Sequence, residues 1–147
     1  MLSLLKFAER MNEFMVVHTL TATELAEKTG IPRPTISGLL REEHLPSTKV
    51  LRTFADFFQC PTDYLLGLVE DYPENCKFSQ PSVSFGERFR RLLAETKVSQ
   101  YALTKQHKIS GNLLYKWLNN ESEPSVYNLI KLSKALSISV DCLLGRE

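Results

Sequence analysis

Displaced by 78 positions, the chain aligns with itself without a gap, so that Phe7 through Gly67 lie over Phe85 through Gly145, 61 residues in each copy. Identical pairs include Phe7/Phe85, Glu9/Glu87, Arg10/Arg88, Leu25/Leu103, Ile31/Ile109, Pro46/Pro124, Ser47/Ser125, Leu51/Leu129, Asp63/Asp141, Leu65/Leu143, Leu66/Leu144 and Gly67/Gly145. Chance pairing of average compositions would leave about four coincidences. Apolar character also persists at Phe14/Leu92, Ile36/Leu114, Leu39/Trp117, Phe54/Leu132 and Phe58/Leu136. A period of this kind means two copies of one small fold, and it must be settled before any local assignment.

Period and punctuation define that fold. Phe85, Phe89, Leu92 and Leu93 recur at helical spacing, and Ser84 with Glu87 fits a capping box. Ser99 is placed to cap a short helix from Gln100 to about Gln106, Ser110 a third through Leu118, Ser125 a fourth, and Ser139 a last turn ending at Gly145. In the first copy Thr21-Ala22-Thr23-Glu24 is a capping box, Gly30 ends helix two, Pro46-Ser47 starts helix four, and Pro61 is expected at the first position of helix five. No run alternates as a strand would. The expected class is all-α: two tandem five-helix domains, residues 1–69 and 84–147, joined by a linker at 70–83 rich in proline and polar groups. Tyr72 and Phe78 are the linker side chains with apolar bulk to pack on a domain.

Composition excludes several function classes. With 18 basic and 17 acidic residues and 43% apolar residues, the chain reads as an ordinary globular one. No stretch approaches the roughly 20 apolar residues of a bilayer span, and the start lacks the order of a signal peptide, so no membrane and a cytoplasmic location are expected. Cys60, Cys76 and Cys142 form no C-x-x-C pair, and His18, His44 and His107 fall at no ligand spacing, which argues against a disulfide framework, a metal or another cofactor. A Gly-rich phosphate loop, a paired acidic site and a Ser-His-Asp set are all missing, so no enzyme is expected.

In the second copy, Phe85-Gly86-Glu87-Arg88, Val98-Ser99-Gln100, Ile109 through Trp117, Glu123-Pro124-Ser125 and Val140 through Gly145 together resemble the lambda-repressor/Cro type of helix-turn-helix domain, also called Xre-like. The first copy is similar to the same family through Leu25 to Ser37 and Asp63 to Gly67. The resemblance implies a repressor-like transcriptional regulator of bacterial or phage origin whose partner is double-stranded DNA. It also implies that Gln100, opening helix two, hydrogen-bonds a phosphate.

Independently of the family, a short helix, a tight turn and a crossing helix can set the latter in the major groove, where base edges carry a unique donor and acceptor pattern. The helix-three positions left outward by Ile109, Leu114 and Trp117 are Ser110, Gly111, Asn112, Leu113, Tyr115 and Lys116. Asn112 suits adenine, Lys116 guanine, and Leu113 a thymine methyl. Trp117 is assigned to the core, and Arg88, Arg90 and Arg91 to a solvated helix face. Through Glu70 seven basic residues face nine acidic ones, a net of −2, whereas from Phe85 onward ten face six, a net of +4. Phosphate contacts dominate affinity for DNA, which favours copy two as the reader.

The first copy departs from the family pattern. Ala22 stands at the glutamine position, Gly38 opposite Lys116, and Pro32 and Pro34 bracket Arg33, leaving Arg33, Thr35, Ser37 and Arg41 as its candidate readers. In copy two Lys108 replaces the turn glycine, from which a backbone path outside the left-handed region is expected. Half-sites lie about 34 Å apart, while a flexible linker of this length averages about 20 Å and stretches to about 46 Å. Two arrangements therefore stay open: one chain on an unsymmetrical site, or, preferred, a homodimer placing two copies of helix three on a palindrome. The alternative from another class is a protein-interaction module in which the acidic first domain, or both domains, bind a protein partner such as another regulator or a toxin.

Overall fold

The computed structural model describes residues 2–146. All of its regular structure is helical, with no strand among the described residues: α1 (Leu2–Val17), α2 (Ala22–Thr29), α3 (Arg33–Leu40), α4 (Thr48–Phe58) and α5 (Thr62–Leu65), then α6 (Phe85–Thr96), α7 (Gln100–Lys105), α8 (Gly111–Leu118), α9 (Val126–Leu136) and α10 (Val140–Leu144). These form two compact units of five helices, the boundary falling between Lys77 and Phe78.

Local chemistry starts most of the helices. Thr21 and Glu24 complete a reciprocal capping box on α2, with Thr21 Oγ1 accepting from Glu24 N at 3.1 Å and Glu24 Oε1 from Thr21 N at 3.3 Å. Ser47, Ser84, Ser99, Ser125 and Ser139 each accept a backbone N–H from three residues on, opening α4, α6, α7, α9 and α10. Two starts differ from expectation. Ser110 precedes α8, but its side chain makes no capping bond. Pro61 is the N-cap of α5 rather than its first residue, because its extended ψ of 145° keeps it outside the helix.

The repeat is exact in the backbone where it matters most. Left-handed residues occur at Thr19/Lys97, Gly30/Lys108, Glu42/Asn120, Gln59/Ser137 and Gly67/Gly145, each pair separated by the same 78 positions. Lys108, at φ 58°, therefore does not take the less strained path expected of it. The turn between α7 and α8 demands the same bend as Gly30 provides at φ 76°, and the side chain is accommodated because it points into solvent.

Each unit encloses its own core. Met11/Phe89, Leu25/Leu103, Ile36/Leu114, Leu39/Trp117, Leu51/Leu129, Phe54/Leu132 and Leu65/Leu143 are buried as pairs. Bulk is distributed differently, with aromatic rings on α1 and α4 in the first unit and the Trp117 indole on α8 in the second, edge-on to Phe89. Arg10 and Arg88 do the same job. Arg10, 6% exposed, donates to the carbonyls of Tyr64 and Val69, and Arg88 donates to that of Cys142, the equivalent of Tyr64.

The segment between α5 and α10's unit is anchored at both ends. Tyr72 packs edge-on to Tyr64, with ring centres 4.9 Å apart. Phe78 lies under the Arg146 guanidinium, 4.3 Å from its ring centre, and Arg146 is itself fully buried in an ion pair with Asp141.

Candidate nucleic-acid interface

Helix α8 divides cleanly into two faces. Leu114, Trp117 and Leu118 are buried, while Gly111, Asn112, Tyr115 and Lys116 are exposed and Leu113 is half-buried. Ser110 is exposed immediately before the helix, and Gln100 is exposed as the first residue of α7. The polar candidates of the second copy thus share one helix and the opening of its neighbour. The two helices meet closely at the turn, since a methyl built on Gly111 would stand 3.9 Å from Thr104 Cγ2 of α7.

Three contacts fix how α8 is held. At its C-terminal end, Asn120 Oδ1 accepts the backbone N–H of Gly86 at 2.9 Å, and Arg90 donates to the carbonyl of Leu118 at 3.3 Å. Gly86 lets α6 come this close: a Cβ there would lie 2.6 Å from the carbonyl oxygen of Leu118. At the N-terminal end, Lys131 Nζ of α9 donates to the carbonyl of Lys108 at 3.4 Å. Arg88 and Arg90 are therefore employed on backbone carbonyls rather than standing as a free basic cluster. Asn120 escaped notice in the sequence, although an asparagine just past a helix end is the residue type that tolerates the left-handed region there.

The matching surface of the first unit is altered. Arg33 is exposed, but Thr35 and Ser37 are only half-exposed, and Arg41 is engaged at 3.0 Å by the Glu43 carboxylate. Gly38, which corresponds to Lys116, is buried, because Glu43 Oε2 and His44 Nε2 lie 3.0 Å and 3.2 Å from where its Cβ would be. An anionic group thus sits on the face of α3 that corresponds to a cationic one on α8.

The described residues contain no group of three or more His, Cys, Asp or Glu side chains disposed to hold a metal ion, and no helix long and apolar enough to cross a membrane. None of the three cysteines is in a disulfide.

Comparison with known proteins agrees with this geometry. Residues 18–65 match a helix-turn-helix family, and residues 88–147 match the family described as the Cro/C1-type HTH DNA-binding domain. The chain is 42% identical over 59 residues to Repressor protein C2 of Salmonella phage P22, an alignment covering 40% of this chain and 27% of that protein. It is 32% identical over 65 residues to the uncharacterized HTH-type transcriptional regulator YobD of Bacillus subtilis (strain 168), covering 44% of this chain and 58% of that protein. In neither case does the aligned part reach two thirds of the relative's length. No solved structure matches the chain. With five helices per unit, a turn and crossing helix in each, and the two family matches falling one on each unit, the chain belongs to the Cro/C1-type, Xre-like helix-turn-helix family and carries two such domains in tandem.

Proposed function

We propose that the chain is a sequence-specific DNA-binding transcriptional regulator of repressor type, from a bacterium or phage, that reads the major groove with α8. The observation that carries this reading is the two-faced character of α8. Its apolar side is locked into the second unit, while Asn112, Tyr115 and Lys116 project from a helix set against α7. Asn112 pairs with adenine, Lys116 donates to guanine, and Ser110, Gly111 and Leu113 approach neighbouring base edges, Leu113 with only part of its side chain. Gln100 donates to a phosphate and sets the register.

The net charges of −2 and +4 on the two copies support the second as reader. In the first unit Arg33, Thr35, Ser37 and Arg41 are at most auxiliary contacts, since Glu43 both pairs with Arg41 and covers Gly38. A homodimer presenting two α8 helices to a palindrome is the arrangement this asymmetry favours. The acidic surface over α3 supports a second role for the first unit, the docking of a protein partner.

Selection of bound duplexes from a random pool tests the reading. A palindrome with half-sites about one helical turn apart is expected for the homodimer, with affinity falling steeply as salt rises. Asn112→Ala and Lys116→Ala should each cost about 1–3 kcal/mol and relax preference at one base pair. Salt-independent binding, or loss of preference on Arg33→Ala alone, would refute it.

A further inference from the structure

We propose that Lys131 is a positioning residue for α8, acting through the backbone of Lys108; the functional part of this claim rests on α8 being the DNA-reading helix. The turn between α7 and α8 needs one left-handed residue, and copy two supplies a lysine where copy one supplies Gly30. A side chain disfavours that conformation through the clash of Cβ with its own carbonyl, a penalty glycine escapes. Something must hold the turn. On one side Ile109 N donates to Leu103 O at 3.0 Å, and the buried Ile109 side chain anchors the chain. On the other the Lys131 ammonium reaches the Lys108 carbonyl at 3.4 Å from α9, a helix whose Leu129 and Leu132 are fully buried.

The two features occur together in one copy and are absent together from the other. Thr53 occupies the position equivalent to Lys131, and its hydroxyl bonds the Lys49 carbonyl of its own helix. Among the described residues no side chain donates to the Gly30 carbonyl, and Gly30 needs no such brace. In copy two Lys131 is half-buried, with its ammonium 5.5 Å from the ring centre of Tyr127 one helical turn earlier, which narrows the arc the side chain can explore. The Lys108 carbonyl lies three residues before α8 begins, so the bond couples the entry angle of α8 to the buried body of α9.

The test uses the full chain and the duplex that the wild type selects from a random pool. Lys131→Met keeps the aliphatic stem and removes the ammonium; it should weaken binding about three- to tenfold, the range of one net hydrogen bond, with the salt slope unchanged. Adding Lys108→Gly should restore affinity to that of Lys108→Gly alone. Amide hydrogen exchange from Ile109 to Asn112 should quicken in Lys131→Met and slow again in the double variant, a readout that needs no DNA. A salt slope reduced by about one with no rescue by glycine would make Lys131 a direct phosphate contact and overturn the proposal. So would binding and exchange indistinguishable from wild type. If the wild type binds no duplex while the exchange pattern appears, the DNA reading fails and Lys131 braces the turn without any role in recognition.

Discussion

Placing a methyl group on Gly86 tests how the second unit holds α8. The Cβ of Gly86→Ala would stand 2.6 Å from the carbonyl oxygen of Leu118 and 2.8 Å from both the carbonyl oxygen of Trp117 and Asn120 Oδ1. Two of these are backbone atoms and cannot swing aside, so α6 and α8 must separate by several tenths of an ångström. Overpacking of this kind costs about 1–3 kcal/mol. Stretching the 2.9 Å bond from Gly86 N to Asn120 removes about 1 kcal/mol more, and the better helix propensity of alanine returns at most about 1 kcal/mol. The expected net loss is about 2 kcal/mol, which for a unit of this size lowers its unfolding midpoint by roughly 10 °C.

The assay is simple because Trp117, the chain's one tryptophan, is buried in the second unit, so its fluorescence follows that unit within the full-length chain. Ala8, buried at the equivalent position of the first unit, shows that the other copy accommodates a methyl there. Ala8→Gly is thus a control that should leave the Trp117 transition where it is. A Gly86→Ala midpoint unchanged within the equivalent of about 0.5 kcal/mol would mean that the close approach of α6 and α8 is not a constraint, and the reasoning would fail.

Asp141→Ala strips the fully buried Arg146 of its carboxylate and should cost about 3–5 kcal/mol in urea unfolding followed by Trp117; a loss under about 1 kcal/mol would contradict the role given to the pair. Ser99→Ala should lower stability by about 1 kcal/mol, whereas Ser110→Ala should change it by a few tenths at most, because only Ser99 caps its helix; equal effects in thermal melts would dismiss the distinction. Burial, with the nearby Cys60 and Tyr64, raises the Tyr72 hydroxyl above its ordinary value of 10.0. The folded state therefore favours the neutral phenol, and this contribution is complete below pH 10 and is lost as pH climbs through the raised value. Tyr72→Phe should flatten the alkaline limb of the first unit's stability in circular-dichroism titrations, and an unchanged limb would assign that limb elsewhere.

Much of the fold could be read directly because its signals are local. Serine or threonine three residues before a donating backbone N–H marked six of the helix starts, and each forms the expected bond. The repeat carried the rest, since a pattern weak in one copy, such as the proline-bracketed start of α3, is written more plainly in its partner at Ser110 to Trp117. Contacts made at long range were illegible. The approach of α6 to α8 depends on Gly86 lacking a side chain and on Asn120 reaching back 34 residues, and neither has a periodicity to betray it. The prediction for Lys108 failed for a related reason: residue type was weighed alone, whereas the bend is imposed by the helices on either side and the residue must follow. The same holds for Arg88, which is half-buried and donates to the Cys142 carbonyl, whereas Arg90 and Arg91 lie on the exposed face expected of them.

The two units show how one backbone can carry different surfaces. Glu43 and Glu121 are the same residue at the same place in the repeat. In the first unit Gly38 presents no side chain, so the Glu43 carboxylate folds onto α3 beside His44 and binds Arg41. In the second unit Lys116 occupies the position where that carboxylate would lie, and Asn119, in place of Arg41, turns its amide back to the carbonyl of Tyr115 at 2.8 Å. The formal charge at these positions is the same in both units, Arg41 with Glu43 and Lys116 with Glu121, but it is placed differently: the first unit closes an ion pair beside α3 and the second leaves Lys116 exposed on α8, while the left-handed residues and buried pairs that set the helix angle remain in register. Because charge at this tip acts within roughly one Debye length of about 8–10 Å, the net charge of the whole chain says little about which unit meets a phosphate backbone. What bears on it is where the cation is placed: Arg41 is held by Glu43, whereas Lys116 is exposed on α8.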